Sequence, residues 1–201
     1  MKVILRSLYA VAFVGYVIFV AFFLRHMSQN TVRTITPPRE IAPKVTSLPR
    51  VKDEPGVPSQ LVIADIGVNA PVASAGLTPD GAMDIQKNPD QVTWYKLGPK
   101  PGSIGSAVIA GHYGWENGKG SVFNNLHTLK VGDIIVVNDE KGAATSFVVR
   151  DTRSYDLAAD ASAVFLSHDG KAHLNLITCE GVWSSTKQTY SNRLVVFTDR
   201  R

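Results

Sequence analysis

The sequence predicts an all-β, or mainly β, domain carried behind one N-terminal membrane helix. Three features lead there: an unbroken apolar run from Leu8 to Leu24, a proline-crowded stretch after it, and a remainder of short Val- and Ile-rich segments. Those segments are bounded by Gly, Pro, Asn or Asp, the punctuation of strands and turns.

The apolar run is about 17 residues long, the short end of a membrane span, and Lys2 and Arg6 precede it. Phe22-Phe23-Leu24-Arg25-His26 stands where a cleavable leader would place small residues, so residues 1–27 are expected to remain as an anchor. Arg25, Arg33 and Arg39 roughly balance the basic residues before the span, and the expected orientation is N-in, C-out. The competing reading, a buried core helix, would need the rest of the chain to wrap it.

Residues 28–58 hold Pro37, Pro38, Pro43, Pro49, Pro55 and Pro58 among polar neighbours, a composition for an extended spacer rather than a core. Fully extended, about 30 such residues reach on the order of 90 Å. An ordered arm lying over the domain is the alternative. Residues 1–58 carry eight Lys/Arg against three Asp/Glu, and residues 59–201 carry thirteen against fourteen. The formal charge of +4 therefore belongs to the membrane-proximal part. The folded part has no excess of basic charge for a nucleic-acid backbone, so no nucleic-acid partner is expected.

Residues 59–201 have the size of one domain with a sizeable core. Strands are expected at Gln60 to Ile66, Ala70 to Ala75, Ser106 to Gly111, Asp133 to Asn138, Thr145 to Asp151, Ala172 to Cys179 and Arg193 to Asp199. Short helices are expected at Pro89 to Lys96 and Ala159 to Leu166. Many short strands without long helical periods favour a closed barrel or a sandwich over a parallel sheet. Gly114 to Gly120 lacks the spacing and the lysine–serine pair of a phosphate-binding loop.

Cys179 is the only cysteine. In an exported domain an unpaired thiol is buried filler, a cross-link or a nucleophile. It closes one expected strand while Arg193 opens the next, so an antiparallel hairpin with residues 180–192 as its loop would make thiol and guanidinium neighbours. A nucleophile also needs a proton partner. His173 lies six residues back along the strand, roughly 20 Å away at 3.3 Å per residue. His26 abuts the span, and His127 and His168 fall in loop or helix-edge positions. His112 instead ends the strand Ser106 to Gly111, a position equivalent to that of Cys179. The plain alternatives are a core cysteine, a turn histidine, and an Arg193 paired with Asp151 or Asp156. Thr178 either orients the site or packs the strand, and Trp115 and Trp183 line a groove or cover the barrel.

Leu176-Ile-Thr-Cys179 followed by Arg193-Leu-Val-Val, with Ala110-Gly-His112 upstream, resembles the sortases, cell-surface cysteine transpeptidases of mainly Gram-positive bacteria. The resemblance spans residues 59–201, and the anchor and linker match the usual build of that family. Asn175 stands where the family signature Thr-Leu-x-Thr-Cys has its first Thr. Ile63-Ala-Asp-Ile-Gly-Val-Asn-Ala-Pro-Val72 looks like the class F-like or related accessory sortases.

The resemblance implies a closed β-barrel of about eight strands with short helices. It also implies that Cys179 attacks an LPxTG-type sorting motif to form a thioacyl-enzyme, which an amine from a peptidoglycan precursor or a pilin lysine then resolves. His112 would serve as general acid and base, and Arg193 would hold substrate carbonyls and the oxyanion, with the Glu180 N–H completing the hole. Partners would be surface proteins with a C-terminal sorting signal, on a single-pass protein whose catalytic domain is extracellular. No cofactor is expected. Scattered acids such as Glu116 do not make a calcium site, and one Cys with dispersed His does not make a zinc site. A peptide hydrolase of the same family and a non-enzymatic surface-binding β domain are the alternatives.

Overall fold

The computed structural model describes residues 54–114 and 120–201. The expected anchor, nearly all of the linker, Trp115 and Glu116 lie outside the described residues. Among the described residues no helix is long and apolar enough to cross a membrane.

Eight strands close into a barrel: β1 (Pro58–Ile63), β2 (Val68–Ala75), β3 (Val92–Tyr95), β4 (Gly105–Gly111), β5 (Ile134–Asp139), β6 (Ala144–Asp156), β7 (Ala172–Ser184) and β8 (Thr189–Arg200). Their order around the barrel is β1-β2-β3-β4-β7-β8-β6-β5. Closure leaves no sheet edge unpaired. The pairs β2–β3 and β4–β7 are parallel and the others antiparallel. Because β4 and β7 run the same way, the C-terminal end of β4 lies beside Thr178, and β7 continues past it to Ser184.

Alternation along the strands sorts the core into two clusters. Leu61, Ile63, Ile109, Phe147, Leu174, Leu176 and Val196, all fully buried, belong to the larger one. Val108, Val195, Phe197 and Ile177 turn the other way and pack with Val164 and Phe165 of a single-turn helix, α1 (Ser162–Phe165). With both faces covered, β7 reads as a continuous apolar run instead of an alternating one. Asn175 sits fully buried beside α1, its amide donating to the Val164 carbonyl at 2.6 Å. That bond accounts for an amide at this position, although its Oδ1 is buried without a partner among the described residues.

Four sequence expectations are corrected. The helix expected at Pro89 to Lys96 is strand β3: Val92-Thr93-Trp94-Tyr95 is β-branched and aromatic, and it fills the gap between β2 and β4. This is the eighth strand that the seven expected ones lacked. The helix expected at Ala159 to Leu166 contracts to α1, and the first strand stops at Ile63, before a 3-10 turn at Ala64–Ile66. The loop expected over residues 180–192 is mostly strand, with only residues 185–188 left as the turn. Gly181, at φ 88°, supplies a bulge between Glu180 and Trp183, so the hairpin bends yet keeps pairing.

Candidate active site

The parallel register of β4 and β7 runs from Gly105 opposite Ala172 to Ala110 opposite Ile177. One step further Gly111, the last residue of β4, comes beside Thr178, and His112 follows just past the strand end. Buried Thr178 pins this alignment, its hydroxyl donating to the Gly111 carbonyl at 2.8 Å. On the other side of β7, Cys179 pairs directly with Arg193 of β8. Cys179 and Arg193 are thus side by side on β7 and β8, and His112, one residue past the end of β4, completes a row at the same rim. Such strands lie about 4.8 Å apart, and residues in register share a face.

His112 and Cys179 line one open cavity of about 640 Å³, together with Tyr113, Trp183 and Tyr190. A cavity of about 670 Å³, lined by Ile104, Lys171 and Arg200 among others, holds none of the three residues of the row.

The imidazole Nε2 of His112 lies 2.8 Å from the Gln86 carbonyl oxygen. A carbonyl only accepts, so Nε2 carries a proton in this arrangement, and Nδ1 is the basic nitrogen of the neutral ring. The Arg193 fork grips its own hairpin. Nη1 donates to the carbonyls of Tyr190 (3.2 Å) and Asn192 (2.9 Å), and Nη2 to the Thr189 hydroxyl (2.9 Å). Nε–H and one Nη2 hydrogen are left over among the described residues. The pairing of Arg193 with Asp151 or Asp156 does not occur: Arg153 takes Asp151 at 2.6 Å, and Asn192 donates to Asp156 at 2.8 Å.

The sortase-domain family model matches residues 61–201. The chain belongs to the sortase family. Sortases are cysteine transpeptidases. Among solved structures it is similar to sortase C-1 from Actinomyces oris, with 24% identity over 71% of this chain and 72% of that one, at a TM-score of 0.57. Sortase C1 from Streptococcus agalactiae shares 20% identity over 71% and 66% of the two chains, with a TM-score of 0.57. Sortase A from Corynebacterium diphtheriae shares 23% over 75% and 63%, with a TM-score of 0.56. Identities of this size show a shared fold. No curated protein matches the chain.

Cys179 is half-buried, and that burial pushes its thiol above the ordinary range, with the positive charge of Arg193 pulling partly against it. At neutral pH the resting group is the thiol, so a nucleophilic role for this sulfur would require a proton acceptor. Imidazole at the end of the neighbouring strand is chemically suited to that task.

Several contributors were not legible in the sequence. Gln86 acts through its backbone carbonyl, which every residue type possesses. Tyr190 meets Tyr113 and Trp183 edge-on, with ring centroids 5.5 and 5.1 Å apart. A Cβ on Gly114 would lie 2.7 Å from the Tyr190 hydroxyl, so glycine there lets this ring close down on the His112 loop. His127, set aside as a loop residue, is exposed on a 3-10 turn (Leu126–Thr128) and lines a second cavity of about 170 Å³ with Cys179 and Glu180.

His173 is buried between two carboxylates, Nδ1 at 2.8 Å from Asp199 and Nε2 at 3.0 Å from Asp169. The sequence ruled it out on distance, and the structure gives it a different task, joining β7 to β8 and to the loop before β7. No group of three or more His, Cys, Asp or Glu among the described residues is arranged for a metal ion, and those two carboxylates are taken up by the imidazole.

Proposed function

We propose that this sortase is a membrane-anchored transpeptidase that cleaves an LPxTG-type sorting motif and passes the protein to an amine of the cell wall or a pilin. The row of His112 just past β4, Cys179 on β7 and Arg193 on β8 carries the reading. A peptide carbonyl at that row meets a sulfur nucleophile, a proton carrier and a permanent cation at once. Cys179 gives its proton to His112 and attacks the carbonyl carbon. The resulting oxyanion accepts hydrogen bonds from the unused N–H groups of Arg193 and the backbone N–H beyond the cysteine. His112 then protonates the departing amine, which leaves a thioacyl-enzyme. The acceptor amine reverses these steps from the other side, ending in an amide and a free thiol.

Residues 1–27 support a single-pass anchor, the proline-rich stretch supports a spacer, and together they suit a catalytic domain outside the cell. Intact mass spectrometry with a library of LPxTG-type peptides tests the reaction. The expected result is a mass gain equal to the acyl fragment, absent in Cys179→Ala and discharged by an added amine as the amide. A thiol left unmodified by the whole library overturns the proposal. Discharge by water at a rate that the amine does not change makes the protein a hydrolase instead.

A further inference from the structure

His112 is held by two segments that are themselves tied together. Downstream of it, the Phe123 N–H donates to the His112 carbonyl at 3.1 Å. From the connection between β2 and β3, the Gln86 carbonyl meets the ring at Nε2. The Val122 N–H joins the two segments, donating to the Pro89 carbonyl at 2.9 Å. Gln86 belongs to no strand or helix, so no ladder of backbone bonds sets the direction of its carbonyl. A buried side chain does so instead: the Gln86 N–H donates to the Thr93 hydroxyl oxygen at 3.1 Å. Only the φ and ψ of Gln86 separate that anchored N–H from the carbonyl on His112. Thr93 is fully buried on β3, opposite Ala110 of β4. Its neighbours Val92 and Trp94 pack in the barrel core, so alternation turns Thr93 outward, beneath the β2–β3 connection. Valine would fit a buried strand position of this shape and would lack only the acceptor.

A neutral imidazole left to itself exchanges its proton between two nitrogens. A carbonyl accepts and never donates, so it selects the ring forms that carry a proton on Nε2 and reserves Nδ1 for exchange. Resting on the transpeptidase reading above, we propose that Thr93 is a positioning residue of the reaction, which through Gln86 holds His112 in its Nε2–H form. Nδ1 then takes the proton of the Cys179 thiol and gives it to the departing nitrogen, while the Nε2 proton stays in place. In the second half the acceptor amine gives one proton to Nδ1, and Nδ1 returns it to the sulfur as the C–S bond breaks. Thr93 sits on β3, two strands away from β7. Its loss therefore acts on proton transfer and leaves peptide binding nearly as it was.

The imidazole nitrogen resonances of His112, assigned by their loss in His112→Gln, read the tautomer directly. At alkaline pH, where imidazoles are neutral, the wild-type ring is expected to show a protonated Nε2 and a bare Nδ1. Thr93→Val is expected to draw the two resonances toward each other as the tautomers mix, and Thr93→Ser, which keeps the hydroxyl, to restore them. With a sorting peptide and an amine acceptor, Thr93→Val is expected to lower the rate at saturation on the order of tenfold, part of what a positioned proton carrier contributes. The KM for the peptide should stay within about twofold, and Thr93→Ser should recover most of the rate. Thr93→Ala removes the same acceptor with less bulk and repeats each comparison if the valine variant does not fold. Resonances that do not move on removal of the hydroxyl, or a loss of rate that Thr93→Ser shares in full, overturn the proposal. The nitrogen spectrum needs no substrate. Wild-type protein that forms no thioacyl adduct would sink the transpeptidase reading alone, and the resonances would still decide whether Thr93 sets the form of His112.

Discussion

At the scale of the residue, the reactivity of Cys179 is set by two opposed effects on one sulfur. Burial favours the neutral thiol, and the neighbouring guanidinium favours the thiolate, with burial the larger. Removing the smaller effect must raise the thiol further. Arg193→Gln is therefore expected to move the pH midpoint of Cys179 alkylation upward, read from iodoacetamide rates across pH, and to slow alkylation at neutral pH. A midpoint that stays put or falls would show that the guanidinium does not act on the sulfur. The type of each residue in the row was legible from sequence, since a lone thiol, a histidine after an apolar strand and an arginine before another each narrow the choice. Gln86 was not legible, because its contribution is a carbonyl oxygen placed by the chain's path.

At the scale of the element, β7 carries the site at one end and a clamp at the other. Near its start His173 joins Asp169 of the preceding loop to Asp199 of β8, and Arg150 of β6 reaches the same Asp199 at 3.0 Å. The His173 ring, with the Lys171 N–H and the Ser167 hydroxyl, holds the Asp169 carboxyl well below the usual carboxylate range. A depressed carboxylate stabilises the fold above its unfolded pKa of about 4, and the contribution is lost as pH falls through the folded value. Asp169→Asn is thus expected to unfold at lower urea than wild type at neutral pH, with the gap narrowing as the pH drops below about 4. A gap constant with pH would rule out the charge as its source. Element types were readable where the period was clear, as in β4 and β8. At β3 the reading failed because Pro89 and a short polar approach resemble a helix start, and only pairing with β2 and β4 settles four residues as a strand. At the β7–β8 hairpin it failed because the glycine bulge at Gly181 continues pairing through residues that look like loop.

At the scale of the whole molecule, a closed barrel brings together residues far apart in the chain. His112 and Cys179 become neighbours because β4 and β7 pair in parallel, and that arrangement requires a crossover through β5, β6 and α1. The proposed anchor adds a constraint of its own. The full chain is expected in the membrane fraction after a high-salt wash, and deletion of residues 1–27 is expected to release it to the soluble fraction. Release of the full chain by salt alone would mean that it is held by charge rather than by a span.

Local composition settled what depends on short stretches of chain: the mainly β character, the apolar N-terminal run, the near-neutral folded part, and the three chemical groups offered for catalysis. Tertiary structure alone decided the register that aligns those groups, the carbonyl that orients His112, the hairpin that occupies Arg193, and the second cavity beside Cys179. The reason is physical. Side-chain type and period are properties of neighbours in sequence, whereas register and cavities arise from pairings between strands many residues apart, fixed only when the whole barrel closes.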